Sequence, residues 1–212
     1  MRILAFLLFS FLTSAAWTQA PPQKKPATTI ASQSCGPIAN DTLKCPRFQF
    51  IYKIPFGWVD RTDEMQEEPD SSKAENPKSE TLLAIFERPP AAPGETINSA
   101  VVIAAEPLAA YHGIKTAADY FGPITELAEQ RGFKSVGELH ETTSASRQLV
   151  RGDFSKERGK LTMWQSSLVL IERGSILSFT FVAGSEEEID ELIERLHFAS
   201  TASPALSHLE HK

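Results

Sequence analysis

The sequence predicts an α+β fold, in which helices cover an antiparallel sheet. Three observations lead to this class. An alternating apolar run begins near Phe48, four consecutive strand patterns lie between residues 135 and 182, and two amphipathic helical patterns accompany them. Strands joined by short turns pair antiparallel, and helices that are segregated from them pack against the sheet. One hydrophobic core is enough for a segment of about 150 residues.

The strands carry two kinds of apolar pattern. From Phe48 to Ile54 every second residue is aromatic or aliphatic, which is typical of a strand with one buried face, and Pro55-Phe-Gly-Trp58 predicts the turn that ends it. The runs 81–86 and 100–105 are almost continuously apolar and indicate central strands covered on both faces. The later strands are expected around 135–141, 147–154, 160–171 and 176–182, with a tight turn at Glu172–Ser175.

Two helices are predicted from caps and from the period of their apolar residues. The first is expected to begin at the capping arrangement Thr116–Asp119 and to end at Gly132. Gly122-Pro123 should kink or split it, because proline lacks an amide donor. The second begins at the capping box Ser185–Glu188. Its apolar face is formed by Ile189, Leu192, Ile193 and Leu196.

The first residues have the pattern of an export signal. Arg2 precedes an apolar run, Ile3–Leu12, of about ten residues, which is too short to span a membrane, and small residues follow it. We expect cleavage after Ala16, with Ala20 as the alternative. The remaining chain then divides into a proline-rich tether at 17–45, a domain at 46–200 and a polar tail at 201–212. The protein is therefore expected to be secreted or periplasmic, with no transmembrane segment once the signal is removed.

The two cysteines, Cys35 and Cys45, lie just after this leader. In an oxidising compartment an isolated pair is more typical of a disulfide than of a metal site, which needs further ligands, or of a redox site, which needs a C-x-x-C motif. We therefore predict a structural disulfide that folds the tether back onto the first strand.

Composition excludes some classes of function and leaves others open. Twenty-one basic residues against 27 acidic residues give a net charge of −6, which argues against nucleic acid as the partner. A mean hydropathy of −0.20 argues against a polytopic membrane protein. No nucleophile signature of the G-x-S-x-G or S-x-x-K type occurs, and no catalytic residue, cofactor or metal site is predicted. The sequence does not determine the oligomeric state.

The candidate binding residues lie in an acidic loop and at two tryptophans. Between residues 60 and 80 the chain has eight acids and three bases, a net charge of −5. Such a loop either docks a basic partner, binds Ca²⁺ weakly or simply keeps the protein soluble. The tryptophans either line a groove for a peptide or small ligand, or belong to the core. The candidates are Trp58, Asp60, Asp63, Glu64, Glu67, Glu68 and Trp164.

Several short motifs resemble those of the PsbP-like domains, a family that includes the extrinsic photosystem II protein and exported bacterial DcrB-like and LpqN-like proteins. They are Tyr52-Lys-Ile-Pro-Phe-Gly-Trp58, the strand pair Leu161–Val182, and Glu187–Ser200 with its ending Leu196-His-Phe-Ala-Ser. The resemblance covers Phe48 to Ser200 and implies the family's α/β/α sandwich. The chain departs from the family in lacking a lipobox and a chloroplast-type leader and in having the acidic loop, so a photosystem function is not implied.

The resemblance also implies a class of function, because these domains look like non-enzymatic binding or assembly modules. We therefore expect an exported module that binds a protein partner in the envelope or the extracellular space. Two alternatives stay open at this point: a hydrolase-type enzyme whose site has no local motif, and a carrier of a small molecule or metal. Converging titratable groups with shifted pKa values would favour the enzyme, and a shallow sheet groove lined by Tyr, Trp and Thr would favour the binder.

Overall fold

The computed structural model describes residues 35–66, 79–92, 94–145 and 147–199. The predicted signal peptide, most of the tether, the candidates Glu67 and Glu68, and the polar tail lie outside these residues. Among the helices described, none has both the length and the apolar composition needed to cross a membrane.

The described part of the chain contains ten strands and three α-helices, together with a 3₁₀ turn at Leu108–Ala110. The strands are β1 (Thr42–Cys45), β2 (Phe50–Lys53), β3 (Val59–Asp60), β4 (Glu80–Phe86), β5 (Ala100–Pro107), β6 (Lys134–Ser144), β7 (Arg147–Arg158), β8 (Leu161–Glu172), β9 (Ser175–Ala183) and β10 (Leu196–Phe198). The helices are α1 (Thr62–Met65), α2 (Phe121–Gln130) and α3 (Glu186–Glu194).

The strands form two antiparallel sheets. The large sheet has seven strands in the order β3-β4-β5-β9-β8-β7-β6, and the small sheet has the order β1-β2-β10. Strands β6 to β9 form the predicted meander, and its last turn has Arg173 and Gly174 at positive φ, as a tight two-residue hairpin turn requires. The α+β class and the antiparallel sheet are thus confirmed, and strands β8 and β9 run in register from Glu172↔Ser175 to Trp164↔Ala183.

One face of the large sheet, here called the closed face, packs against the small sheet and α3. Alternate residues of β2 point inward, so that the predicted buried set of Phe48, Phe50, Tyr52 and Ile54 is confirmed. Phe179 of β9 contacts Phe50 and Phe198 edge-on, with ring centroids 5.4 Å and 5.9 Å away. Residues of both sheets and of α3 belong to one apolar cluster, which makes this face the main core.

The opposite face, here called the open face, packs against α2 and the segment that leads into it. A second apolar cluster joins Tyr120, Phe121 and Ala128 to Phe154, Val169 and Ile176 of the sheet. The Phe121 ring lies directly over Gly152, where an added Cβ would lie only 2.5 Å from that ring. This close approach therefore requires glycine at position 152 if α2 is to keep its place.

The structure corrects two details of the sequence analysis and adds strand β1, whose place agrees with the prediction that the disulfide folds the tether back onto the first strand. Helix α2 begins at Phe121, not at Thr116, so Pro123 lies in its first turn, where backbone amides have no partner within the helix, and no break occurs at Gly122-Pro123. Leu196 lies in β10 after α3, not on the face of the helix. Strand β1 lies in the segment assigned to the tether, and it pairs along its length with β2.

Candidate functional site

The two cysteines close a small hairpin. Cys35 and Cys45 form the predicted disulfide, and the Gly36 amide donates to the Lys44 carbonyl at 2.9 Å. The hairpin turns at Asn40 and Asp41, both with φ of 50°, the left-handed values that a type I′ turn needs. We call residues 35–45 the disulfide hairpin. Its covalent closure holds Cys35 against the core residue Cys45 at one end of β1.

The start of the acidic loop is fixed at the edge of β4. Asp60 Oδ1 accepts hydrogen bonds from the backbone amide of Thr62 at 2.9 Å and from its hydroxyl at 2.6 Å. The Thr62 hydroxyl oxygen accepts in turn from the Ala84 amide at 3.0 Å. Because Ala84 is fully buried in β4, these bonds give the first residues of the loop a defined position.

A groove of about 310 Å³ separates the disulfide hairpin from this part of the loop. One wall is Cys35–Ile38 with Leu43, and the other includes Asp60, Asp63 and Gln66, with Glu80 of β4 nearby. We call it the acidic groove. The structure therefore brings two of the predicted acidic residues, Asp60 and Asp63, together with the disulfide, which the sequence does not connect with them.

Neighbouring arginines neutralise part of the negative charge at this groove. Glu64 forms an ion pair with Arg61, and Glu80 accepts from Arg47 at 2.7 Å. Asp63 is exposed and forms no ion pair with another described residue. Asp60 uses only Oδ1 in the described hydrogen bonds. The groove's available negative charge therefore comes mainly from these two aspartates.

The two tryptophans lie at the margin of the main core. Trp58 and Trp164 are partly buried and pack against the closed-face cluster. Trp164 also lines a cavity of only about 50 Å³, together with Arg151, Asp153 and Glu186. Neither tryptophan lines the acidic groove. Their packing agrees with the interpretation that they belong to the core, which the sequence analysis left open.

A second groove, which the sequence analysis missed, lies on the open face beside α2. It has a volume of about 150 Å³, and its floor is formed by polar residues of β8 and β9. We call it the sheet groove. The floor residues are Gln165, Ser167, Ser178 and Thr180. Ser178 and Thr180 are half-buried, and Gln165 Nε2 donates to the Ser167 hydroxyl at 3.5 Å.

One end of the sheet groove contains a carboxylate bonded to two phenols. Glu106 Oε1 accepts from the Tyr120 hydroxyl at 2.6 Å, and Oε2 accepts from the Tyr111 hydroxyl. The two tyrosine rings meet edge-on at 5.2 Å. Burial, together with the hydrogen bond to Glu106, raises the pKa of Tyr120 above its usual value, so this phenol stays protonated and donates. The cluster acts as a fixed hydrogen-bonding group.

The alternation of buried and polar residues along β8 and β9 is a sequence signal for this groove. Ser178 and Thr180 alternate with the buried Phe179 and Phe181, so one face of β9 is aromatic and the other carries hydroxyls. This pattern predicts a strand face that is not fully covered. It does not predict α2 as the second wall, because that contact depends on where the helix packs.

No three or more His, Cys, Asp and Glu side chains lie close enough together to hold a metal ion among the residues that the structure describes.

The described strands and helices define the chain as an α+β protein. Neither a protein-family model nor a curated protein sequence matches it. Similar solved structures include cyanobacterial PsbP (CyanoP) from Synechocystis sp. PCC 6803, with 12% identity, a TM-score of 0.47, and coverage of 78% of this chain and 98% of that one.

Two further similar structures come from yeast and from a mycobacterium. The Ran-binding protein Mog1p of Saccharomyces cerevisiae has 11% identity and a TM-score of 0.43, covering 78% of this chain and 98% of that one. LpqN of Mycobacterium tuberculosis, a protein involved in cell envelope biogenesis, has 15% identity and a TM-score of 0.35, covering 69% and 76%.

Proposed function

We propose that this chain is an exported, PsbP-like binding module that docks a basic segment of an envelope or extracellular protein in the acidic groove. The observation that carries the proposal is the groove itself, in which the disulfide hairpin stands opposite Asp60 and Asp63. A cleft with carboxylates on one wall attracts lysine and arginine side chains, and it favours the correct orientation of a partner during encounter.

The fixed walls of this groove support binding. The disulfide restrains one wall, and the Asp60–Thr62–Ala84 hydrogen bonds restrain the other. A preformed surface loses less conformational entropy when a partner docks than a loop that must first become ordered. The two aspartates can therefore meet a basic segment without rearrangement of the walls.

The N-terminal pattern and the disulfide support export. Disulfides persist in the periplasm, the secretory pathway and the extracellular space, whereas cytosolic thiols are kept reduced. The hairpin that the disulfide closes is one wall of the proposed binding surface, so an oxidising compartment would also favour the competent form of the groove. This links the predicted location to the predicted function.

Site-specific photo-crosslinking in the envelope fraction of the native host tests the proposal. A photoreactive residue at Gln66, inside the groove, should give a discrete adduct, whereas one at Glu191, on the exposed side of α3, should not. Asp60→Asn with Asp63→Asn should lower the adduct yield at Gln66, because it removes the two charges that line the groove. The adduct should also weaken as salt is raised, because ions screen exposed charges.

A matched charge control is available elsewhere on the surface. Glu95→Gln with Glu138→Gln removes the same number of charges from exposed positions that do not line the groove. This variant should keep the adduct. Equal adducts at Gln66 and Glu191, or equal loss in both double variants, would show that the groove is not the binding surface.

A further inference from the structure

Helix α2 forms one wall of the sheet groove, here also called the trough. The residues of α2 and its flanks that line it recur along one helix face, from Tyr120 through Ile124 and Leu127 to Arg131. Ten helical residues extend about 15 Å.

The floor of the trough has the repeat of an extended peptide. Ser178 and Thr180 are two residues apart on β9 and face the same side, so their hydroxyls are about 6.8 Å apart along the strand. Gln165 and Ser167 repeat this spacing on β8, where Ser167 is paired directly with Thr180. Hydroxyls and amides both donate and accept, and therefore suit the alternating N–H and C=O groups of a peptide.

The two ends of the trough differ in charge. Glu106 lies at the Tyr120 end, and its two phenol donors use about half of its acceptor positions, which leaves capacity for peptide N–H groups. Arg131 lies at the other end of α2 and forms no ion pair within the described part of the chain. A guanidinium binds a carboxylate with two parallel hydrogen bonds.

The wall opposite the floor is apolar. Ile124 is half-buried, and Leu127 remains 49% exposed although it lies beside the trough. A ligand that fills the trough would cover Leu127 with one apolar side chain while its backbone faces the polar floor. This division between an apolar wall and a polar floor suits a peptide better than a wholly polar small molecule.

From these features we propose that the sheet groove binds the carboxyl-terminal segment of an extended peptide, about four residues long, with the terminal carboxylate at Arg131. The hydroxyls of Ser178 and Thr180 bond the peptide backbone, and Glu106 receives N–H groups at the far end. The site is separate from the acidic groove, and its ligand is recognised by a free carboxylate rather than by basic side chains.

Two forms of one probe peptide test this inference on the exported chain. Acetyl-Ala-Ala-Leu-Ala with a free carboxylate and the same peptide with a terminal amide are titrated at millimolar concentration, and amide resonances of the protein are followed by NMR. Resonances of Ser167 and Thr180 should shift, and the acid should bind about tenfold more tightly than the amide, a difference of about 1.4 kcal/mol. Absence of shifts in the groove, or equal affinity for the two forms, overturns the proposal.

Variants separate recognition of the terminal carboxylate from recognition of the peptide backbone. Arg131→Gln should abolish the preference for the acid, whereas Arg158→Gln, at an exposed arginine of β7 away from the trough, should keep it. Thr180→Val should weaken the binding of both peptides and leave the ratio of the two affinities unchanged. Asp63→Asn should bind both like the wild type, so that a failure of this inference is distinguishable from a failure at the acidic groove. Retention of the preference in Arg131→Gln would exclude Arg131 as the carboxylate site.

Discussion

The two faces of the seven-stranded sheet are built from the same strands but differ in their side chains and in how completely they are covered. On the closed face, β9 contributes Phe179 and Phe181, which the small sheet and α3 bury completely. On the open face the same strand contributes Ser178 and Thr180, which stay half-buried beside α2. The small sheet and α3 together cover one face, whereas α2 leaves a trough on the other. The side chains of one strand are therefore fully covered on one face of the sheet and only partly covered on the other.

Neighbouring residues of β9 give the sharpest test of this comparison and the largest expected effect. Phe179→Ala should lower the free energy of unfolding by about 3–5 kcal/mol, because it leaves a cavity where three aromatic rings meet. Thr180→Ala, one residue further on but on the open face, should cost less than about 1 kcal/mol. Urea unfolding of both variants measures the difference. Similar losses would contradict the division between the faces.

The disulfide hairpin should have the next largest effect, because it joins the small sheet to one wall of the acidic groove. Replacing Cys35 and Cys45 together by serine should cost about 2–3 kcal/mol through greater freedom of the unfolded chain. Thermal unfolding with and without reductant checks this value. A free-thiol titration that finds two reactive thiols in the wild type would contradict the disulfide itself.

The two faces each contain a buried tyrosine, and both should resist ionisation. Burial raises the pKa of Tyr52, whose hydroxyl donates to the Leu192 carbonyl at 3.1 Å, as it raises the pKa of Tyr120 on the open face. A raised pKa in the folded state stabilises the fold below the unfolded value of about 10, and this stability is lost as the pH rises further.

Alkaline titration with tyrosinate absorbance therefore should show two phenols that ionise only as the protein unfolds. Tyr52→Phe should cost about 1 kcal/mol at neutral pH, since the Leu192 carbonyl loses its donor, and should reduce the alkaline loss. Ionisation of all three tyrosines near their ordinary pKa in the folded protein would contradict the burial of these phenols.

The acidic loop should have the smallest effect on stability. Replacing Glu64, Glu67 and Glu68 by glutamine should change the free energy of unfolding by no more than about 0.5 kcal/mol, because exposed charges contribute little. Only Glu64 lies in the described residues, where it is exposed beside Arg61. A large loss in thermal unfolding would show that the loop is part of the packed structure.

Much of the acidic groove and of the sheet groove was not predictable from the sequence, and the reason differs between the two grooves. The acidic residues were identified by composition, but their approach to the disulfide hairpin depends on the pairing of β1 with β2 and of β3 with β4. Glu106, Tyr120 and Thr180 meet from three separate elements, so no local spacing connects them. Predicting that trough requires knowing where α2 packs.

The sequence by itself determined the α+β class, the meander of β6 to β9 and the disulfide, because each depends on local features. Alternation identified the buried face of β2, and the tight turn between two strand patterns identified the hairpin of β8 and β9. The capping box predicted that Ser185 caps α3, as it does. These signals lie within a few residues of the structure that they specify.

The tertiary structure alone decided how the two faces are covered. The small sheet forms because β10, near the end of the chain, pairs with β2, more than 140 residues earlier. The place of α2 depends on the contact of Phe121 with Gly152, which are 31 positions apart. Packing between distant residues follows from the balance of all buried contacts together, and for that reason no local pattern in the chain determines it.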